Sequence, residues 1–315
     1  MKPYKILGAS VVIILCGCAD IKLVPFHDQY KKHEESTGVK YKSCDLSHYQ
    51  DGGQSKYGYK YEVAAVLAFP YAMMASNAYD DVEQFEVPGW RRVERYQSGM
   101  GLSADVYERS EKGLPAKFFS TSDKSIPIEY QAKDRDAIAV VFRGTEFFKP
   151  NDWIFGNLNI YWMGQFKDAD QLIDKIVDKK NNKNRIIYAI GHSLGGALAI
   201  HVSLTHDHIY ALGFDSSPRF FDTYSHENEK HTNGGQFVIE EKGEVLQGIR
   251  RIWPTMKVID ESVDFNFATG WSVFQHSMYN LARGLTIVAA AAGDDSAKWA
   301  MEKNIGCKIS AIKSP

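Results

Sequence analysis

The chain has 315 residues, 44% of them hydrophobic and 24% charged, and a formal net charge of -2 at pH 7. This composition excludes a chain that is disordered along most of its length, and the length suits one large globular domain or two small ones. The sequence contains no basic stripe that could release counterions from a phosphate backbone, so no nucleic-acid partner is expected.

Residues 1–18, MKPYKILGASVVIILCGC, have the pattern of an export signal. Lys2 and Lys5 precede an apolar segment that is roughly half as long as a membrane-spanning helix. The closing LCGC resembles the lipobox of bacterial lipoproteins, which implies that the signal is cut before Cys18 and that Cys18 carries the lipid. A secretory signal with an incidental cysteine and an uncleaved anchor are the alternatives.

The lipoprotein interpretation divides the chain into a signal peptide (1–17), a polar membrane tether (18–60) and a folded domain (61–315). Ala19, directly after the lipidated cysteine, is typical of outer-membrane lipoproteins, whereas Asp there would indicate retention in the inner membrane. For a Gram-negative host, we therefore expect a cell-envelope protein that its lipid holds in the outer membrane, facing the periplasm.

The chain has four cysteines, and two of them remain after processing. Cys16 leaves with the signal and Cys18 carries the lipid, so Cys44 and Cys307 are left. In an oxidising periplasm these two thiols could form a disulfide. The sequence does not give their separation, so a disulfide and two unpaired cysteines both stay open.

From Tyr61 the pattern alternates between helices and strands. YEVAAVLAFPYAMMASNAY has helical spacing, with Pro70 expected to kink or split the helix. LSADVYERS alternates as a half-buried strand does, and AIAVVF is apolar throughout, which predicts a strand covered on both faces. The later candidates are helices at 167–180, 194–206 and 276–292, and strands at 185–190, 209–214, 236–241 and 256–261. This order predicts an α/β fold with a mainly parallel central sheet flanked by helices.

The pentapeptide GHSLG, residues 191–195, lies between the predicted strand IIYAI and the predicted helix LGGALAIHVSL. A G-x-S-x-G at a strand-to-helix turn is the nucleophile elbow of hydrolases, in which the glycines leave room for a sharp turn that exposes the serine hydroxyl. Ser193 is therefore the predicted nucleophile. The backbone N–H of Leu194, directly after it, is the predicted oxyanion donor.

Two motifs together, VVFRGTEFFKPNDW and YAIGHSLGGALA, resemble the class 3 (fungal-lipase-like) lipases of the α/β-hydrolase superfamily, here in a bacterial lipoprotein form. The resemblance covers about residues 61–292. It implies an α/β-hydrolase fold, with Thr145 at the end of the FRGT strand as a second oxyanion-hole residue. Asp152 and Trp153 match the pair that follows this strand in the family.

A hydrolase with this order of elements places its histidine after the last strand. His276, in FQHSMYNLARGL, is the only histidine beyond His231, and it lies just before the last predicted helix. His276 is therefore the predicted general base.

The resemblance leaves two candidates for the acid that orients this histidine. The position of the class 3 acid holds Glu244, in FVIEEKGEVL, and a glutamate can still orient an imidazole. Asp215, in LGFDSSPRF, matches the acid position of pancreatic-type lipases. If Glu244 is not the acid, we expect it to form a salt bridge with Arg250 or Arg251. Two further carboxylates, Asp260 and Glu241, are also candidates.

The histidine-rich stretch HVSLTHDH, residues 201–208, could suggest a metal site. Its spacing fits no recognised zinc pattern and it follows the elbow helix rather than a strand end, which favours a solvated helix end. No metal and no cofactor are expected.

These features predict a membrane-anchored serine hydrolase of lipid carboxylic esters: a lipase, an esterase or a phospholipase. The aromatic-rich segment FFKPNDWIFGNLNIYWMGQF could line a groove for an acyl chain, or it could be ordinary core. A thioesterase or peptidase would share the catalytic residues, and a non-catalytic envelope lipoprotein would retain only the fold. The expected partners are a lipid ester substrate and the membrane; the sequence identifies no protein partner.

Overall fold

The computed structural model of the chain describes residues 50–51, 54–55, 58–79, 84–109, 137–144, 158–179, 182, 185–218, 235–244, 246–252, 259, 261–267 and 275–305. Several residues predicted above lie outside these ranges: Cys18, Cys44, Thr145, Asp152, Trp153, Asp260 and Cys307.

The described chain contains nine strands and six α-helices. The strands are β1 (Gln50–Asp51), β2 (Gln54–Ser55), β3 (Trp90–Gln97), β4 (Ser103–Arg109), β5 (Ile138–Phe142), β6 (Ile187–His192), β7 (Ile209–Phe214), β8 (Gln236–Glu241) and β9 (Glu261–Phe265). The helices are α1 (Tyr59–Asn77), α2 (Leu158–Asp178), α3 (Leu194–Thr205), α4 (Gln247–Ile252), α5 (Met278–Ala291) and α6 (Asp295–Ala300), and a π-helical turn follows at Met301–Ile305.

Seven of the strands form one sheet in the order β3-β4-β5-β6-β7-β8-β9. The ladders from β5 to β9 are parallel, and β3 and β4 extend the sheet antiparallel at one edge. Every residue of β5, IAVVF, is buried, because helices cover both faces of the sheet. The predicted α/β class with a mainly parallel sheet is confirmed.

The core has two parts, one on each face of the sheet. Helices α1 and α5 pack together on one face, where Leu67 and Leu285 belong to the same apolar cluster. Helices α2 and α3 cover the other face, where Ile173 and Leu198 are fully buried. The first long helix of the domain and its last long helix therefore share one core.

Three local features were not predicted, or were predicted only in part. Of the two effects expected of Pro70, a split is absent, since α1 continues as one helix on both sides of it. Strand β3, WRRVERYQ, has no apolar alternation because it is an exposed edge strand. Strand β9 begins at the last residue of the predicted 256–261 strand, and its alternating burial is that of the opposite edge.

Two of the three histidines of HVSLTHDH, His201 and His206, contact carboxylates of a neighbouring helix. His201 Nε2 lies 3.0 Å from Asp170 Oδ2, and His206 Nε2 lies 3.2 Å from Asp174 Oδ1. These contacts join α2 to the C-terminal end of α3, which gives both histidines a structural role.

No helix in the described ranges is both long enough and apolar enough to cross a bilayer.

Replacing Leu285 by Ala is expected to lower the free energy of unfolding by about 2–5 kcal/mol, because Leu285 is fully buried in the core shared by α1 and α5. Urea unfolding followed by circular dichroism measures the change. Val177→Ala in α2 is the matched control, since Val177 is 38% exposed and its truncation is expected to change stability by no more than about 0.5 kcal/mol. Equal decreases in the free energy of unfolding of the two variants would contradict this packing.

Candidate active site

Ser193 occupies the single residue between the end of β6 and the start of α3. Its φ of 58° and ψ of -122° are unusual for a residue with a Cβ atom. A strained serine at a strand-to-helix turn is the geometry of a nucleophile elbow. Two backbone hydrogen bonds of 2.9 Å fix it: Ser193 N–H donates to Phe214 O, and Ser217 N–H donates to Ser193 O.

Glycines allow the backbones around this turn to approach closely. A Cβ atom on Gly191 would overlap the backbone of Gly195, and one on Gly195 would overlap the carbonyl of Phe142. Strand β5, strand β6 and helix α3 therefore meet backbone to backbone. Substitution at either glycine would push the helix away from the sheet and displace the serine.

The predicted oxyanion residues lie beside the serine, as far as the structure describes them. Leu194 is the first residue of α3, and the first N–H groups of a helix have no intrahelical acceptor. Gly144 lies against the elbow, since a Cβ atom placed on it would be 3.2 Å from Ser193 Cβ. Thr145, the next residue, is outside the described ranges.

His276 and Glu244 form a direct hydrogen bond. His276 lies just before α5 and Glu244 follows β8, and 2.7 Å separates His276 Nδ1 from Glu244 Oε2. Both residues are buried. Glu244 also binds the guanidinium of Arg250, so the contact with His276 and the salt bridge that the sequence left as alternatives are both present.

The environment of Glu244 favours its ionised form. Burial acts to raise the pKa of this carboxyl, but the hydrogen bond and charge of His276, the charge of Arg250 and the Leu246 N–H together bring the pKa below its ordinary value. Arg250 in turn donates to Ser216 O at 2.9 Å and lies 2.6 Å from Glu240 Oε1. Nothing in the sequence distinguished Arg250 from its neighbour Arg251.

Asp215, the rival acid, directly follows β7 and has a φ of 41°. Its Oδ1 accepts the Glu241 N–H at 2.6 Å, and the described residues include no hydrogen bond between Asp215 and His276. Burial, and next the charge of Glu244, raise the pKa of Asp215 well above its ordinary value. The pKa values of the two carboxyl groups are thus shifted in opposite directions.

His192, the variable residue of the GHSLG motif, is a member of the site that the sequence did not reveal. Its Nδ1 lies 2.8 Å from the Tyr79 hydroxyl, and its ring centroid lies 4.5 Å from that of His276. Burial, and next the charges of His276 and Arg250, lower its pKa well below the ordinary value, so the ring is neutral.

The structure therefore brings the predicted nucleophile, base and both candidate acids together at the C-terminal ends of the parallel strands β6, β7 and β8. His276 stands beside the elbow through its contact with His192, the residue before Ser193. Within the described residues no hydrogen bond joins Ser193 to His276. The chain order of the candidates is serine, acid, histidine, as in α/β-hydrolases.

Comparison with known proteins identifies the family. The family model described as Phospholipase-like, Tle-like phospholipase domain, matches residues 70–297. A triacylglycerol lipase from Penicillium expansum is 18% identical, covering 66% of this chain and 81% of its own, with a TM-score of 0.37. EstE1, a thermostable carboxylesterase from a metagenomic library, is 13% identical, covering 75% of this chain and 96% of its own, with a TM-score of 0.33.

A comparison with curated proteins gave no match. The family match spans well over half of the chain and includes every residue of the site described above. The chain has an α/β fold with a mainly parallel sheet and belongs to the family of Tle-like phospholipase domains.

Proposed function

We propose that this chain is a serine hydrolase that cleaves a carboxylic ester bond of phospholipids, with Ser193 as nucleophile, His276 as general base and Glu244 as acid. The observation that carries the proposal is the 2.7 Å hydrogen bond between His276 Nδ1 and Glu244 Oε2, beside a serine held at positive φ. A binding protein needs neither feature.

In this mechanism His276 Nε2 accepts the Ser193 proton as Oγ bonds to the ester carbonyl carbon. The N–H of Leu194, together with Thr145, stabilises the oxyanion that forms. The tetrahedral intermediate then loses the alcohol, which takes the proton from His276 and leaves an acyl group on Ser193. Water attacks this acyl-enzyme by the same route and releases the fatty acid.

We assign the acid to Glu244 rather than Asp215. A triad acid must be ionised to hold the imidazole Nδ1–H and to stabilise the imidazolium that forms. Glu244 makes that contact and has a lowered pKa, whereas the pKa of Asp215 is raised. Burial and the charge of Glu244 thus favour the protonated form of Asp215.

The family description favours a phospholipid over a triacylglycerol as substrate. The motifs that resemble class 3 lipases support an ester of a long acyl chain in either case. We further propose that Cys18 carries a lipid anchor that holds the enzyme in the bacterial envelope, facing the periplasm. The anchor would keep the site close to its substrate.

Ser193→Ala is expected to abolish turnover, with a loss in kcat of about 10⁶-fold, because no other group replaces the attacking oxygen. The full-length chain in detergent micelles would be assayed for fatty-acid release from phosphatidylcholine and for labelling by a fluorophosphonate. The control, Ser296→Ala in α6, should retain both signals. An unlabelled but folded wild-type chain would point instead to a binding role.

Glu244→Gln is expected to lower kcat by about 10⁴-fold with little change in KM, because the imidazole loses the carboxylate that holds its tautomer. Asp215→Asn should lower kcat far less, since Asn resembles a protonated carboxyl group in size and charge. Steady-state kinetics on a micellar phospholipid would compare the two, after circular dichroism has shown that both fold. A larger loss of kcat in Asp215→Asn than in Glu244→Gln would assign the role of the acid to Asp215 instead.

Cys18→Ser is expected to abolish incorporation of radiolabelled palmitate and to release the chain from the membrane fraction of expressing cells. Cys16→Ser is the matched control, because this cysteine would leave with the signal and its loss should not affect labelling. Palmitate retained in Cys18→Ser would refute the anchor.

A further inference from the structure

Three side chains near the serine turn bring atoms that can ligate a metal close to one another. His192, Asp215 and His276 each place one such atom within 4.8 Å of those of the other two. All three residues are buried, with exposures of 4%, 0% and 5%. They come from three different places in the chain: the end of β6, the end of β7 and the segment before α5.

Two of these side chains carry a polar atom without a hydrogen-bond partner among the described residues. These atoms are His192 Nε2 and Asp215 Oδ2. A buried polar atom without a partner is costly and rare, so two of them in one cluster call for an explanation. A cation held between them would satisfy both.

The hydrogen bonds on the far side of each imidazole suit metal binding. His276 Nδ1 contacts Glu244 Oε2 at 2.7 Å, and His192 Nδ1 contacts the Tyr79 hydroxyl at 2.8 Å. Histidines that bind metals usually donate their second ring N–H to such a partner, which fixes the tautomer and makes the other nitrogen the ligand. By this rule Nε2 is the ligating atom of both rings.

We propose that His192, Asp215 and His276 form a Zn²⁺ site. Two imidazole nitrogens and one carboxylate oxygen are a donor set that Zn²⁺ accepts, with a fourth position left for water. Asp215 releases its proton to solvent when the cation binds. Ligands on a tetrahedral zinc lie about 3.4 Å apart, so two atoms separated by the full 4.8 Å must approach each other by about 1.4 Å. Asp215 Oδ2 gives up no described hydrogen bond when it does so.

Zinc in this site inhibits the hydrolase. His276 Nε2 cannot ligate a cation and accept the Ser193 proton at the same time, so the metal-bound enzyme is inactive. This second part rests on the proposed function, whereas the existence of the site does not.

Zinc binding would be measured on the full-length Ser193→Ala chain in detergent by competition with a chromophoric chelator. We expect one saturable site, which Asp215→Asn and His192→Gln each weaken by about 100-fold. The control is His208→Asn: His208 is exposed, and its φ of 60° is one that Asn tolerates. Absence of saturable binding, or binding that neither ligand variant weakens, overturns the site.

A second measurement uses the unaltered chain, so that it does not depend on the folding of the variants. Zinc should slow fluorophosphonate labelling of Ser193 at least tenfold, and EDTA should restore the rate. Labelling that saturating zinc leaves unchanged overturns the inhibition. A chain that binds zinc at these residues but is never labelled refutes the proposed hydrolase while leaving the site in place.

Discussion

The close approach of three backbones at the serine turn is the constraint on which the rest of the site depends. Ser193 holds a φ of 58° because hydrogen bonds to Phe214, the last residue of β7, and from Ser217, just after β7, fix it, and because Gly191 and Gly195 leave no Cβ atoms in the way. The strain is local, and the backbone around the turn compensates for it. Asp215 and Glu244 are positioned near this turn because each follows a parallel strand, β7 and β8.

Around this turn the chain buries more acidic groups than one cation can balance. Arg250 contacts Glu244 and Glu240, while Glu241 accepts the Phe267 N–H and Asp215 accepts the Glu241 N–H. Buried carboxylates stay charged only where a cation or several donors compensate their lost hydration. Glu244 has that compensation. For Asp215, burial and the charge of Glu244 outweigh the charge of Arg250 and the Glu241 N–H, so its pKa is raised.

Much of the fold follows from sequence patterns, because buried strands and amphipathic helices have clear periods. The exposed edge strand β3 does not, since nothing buries its charged residues. At the site, GHSLG and the position of His276 could be read from the chain. The choice between Glu244 and Asp215 could not, because it depends on which carboxylate meets the imidazole in space. Tyr79 belongs to no motif, His192 is the variable residue of one, and Arg250 was only one of two possible partners for Glu244. Their roles appear only when segments distant in sequence are brought together.

The pairing of α1 with α5 affects how the chain folds. One face of the sheet is covered by a helix that begins at Tyr59 and by another that ends at Ala291, so neither can complete that core alone. Contacts between such distant segments form slowly, and this apolar face of the sheet stays exposed to solvent until α5 packs on it. A polypeptide that is synthesised from its N-terminus must therefore keep α1 and the central strands from aggregating until nearly the whole domain has emerged.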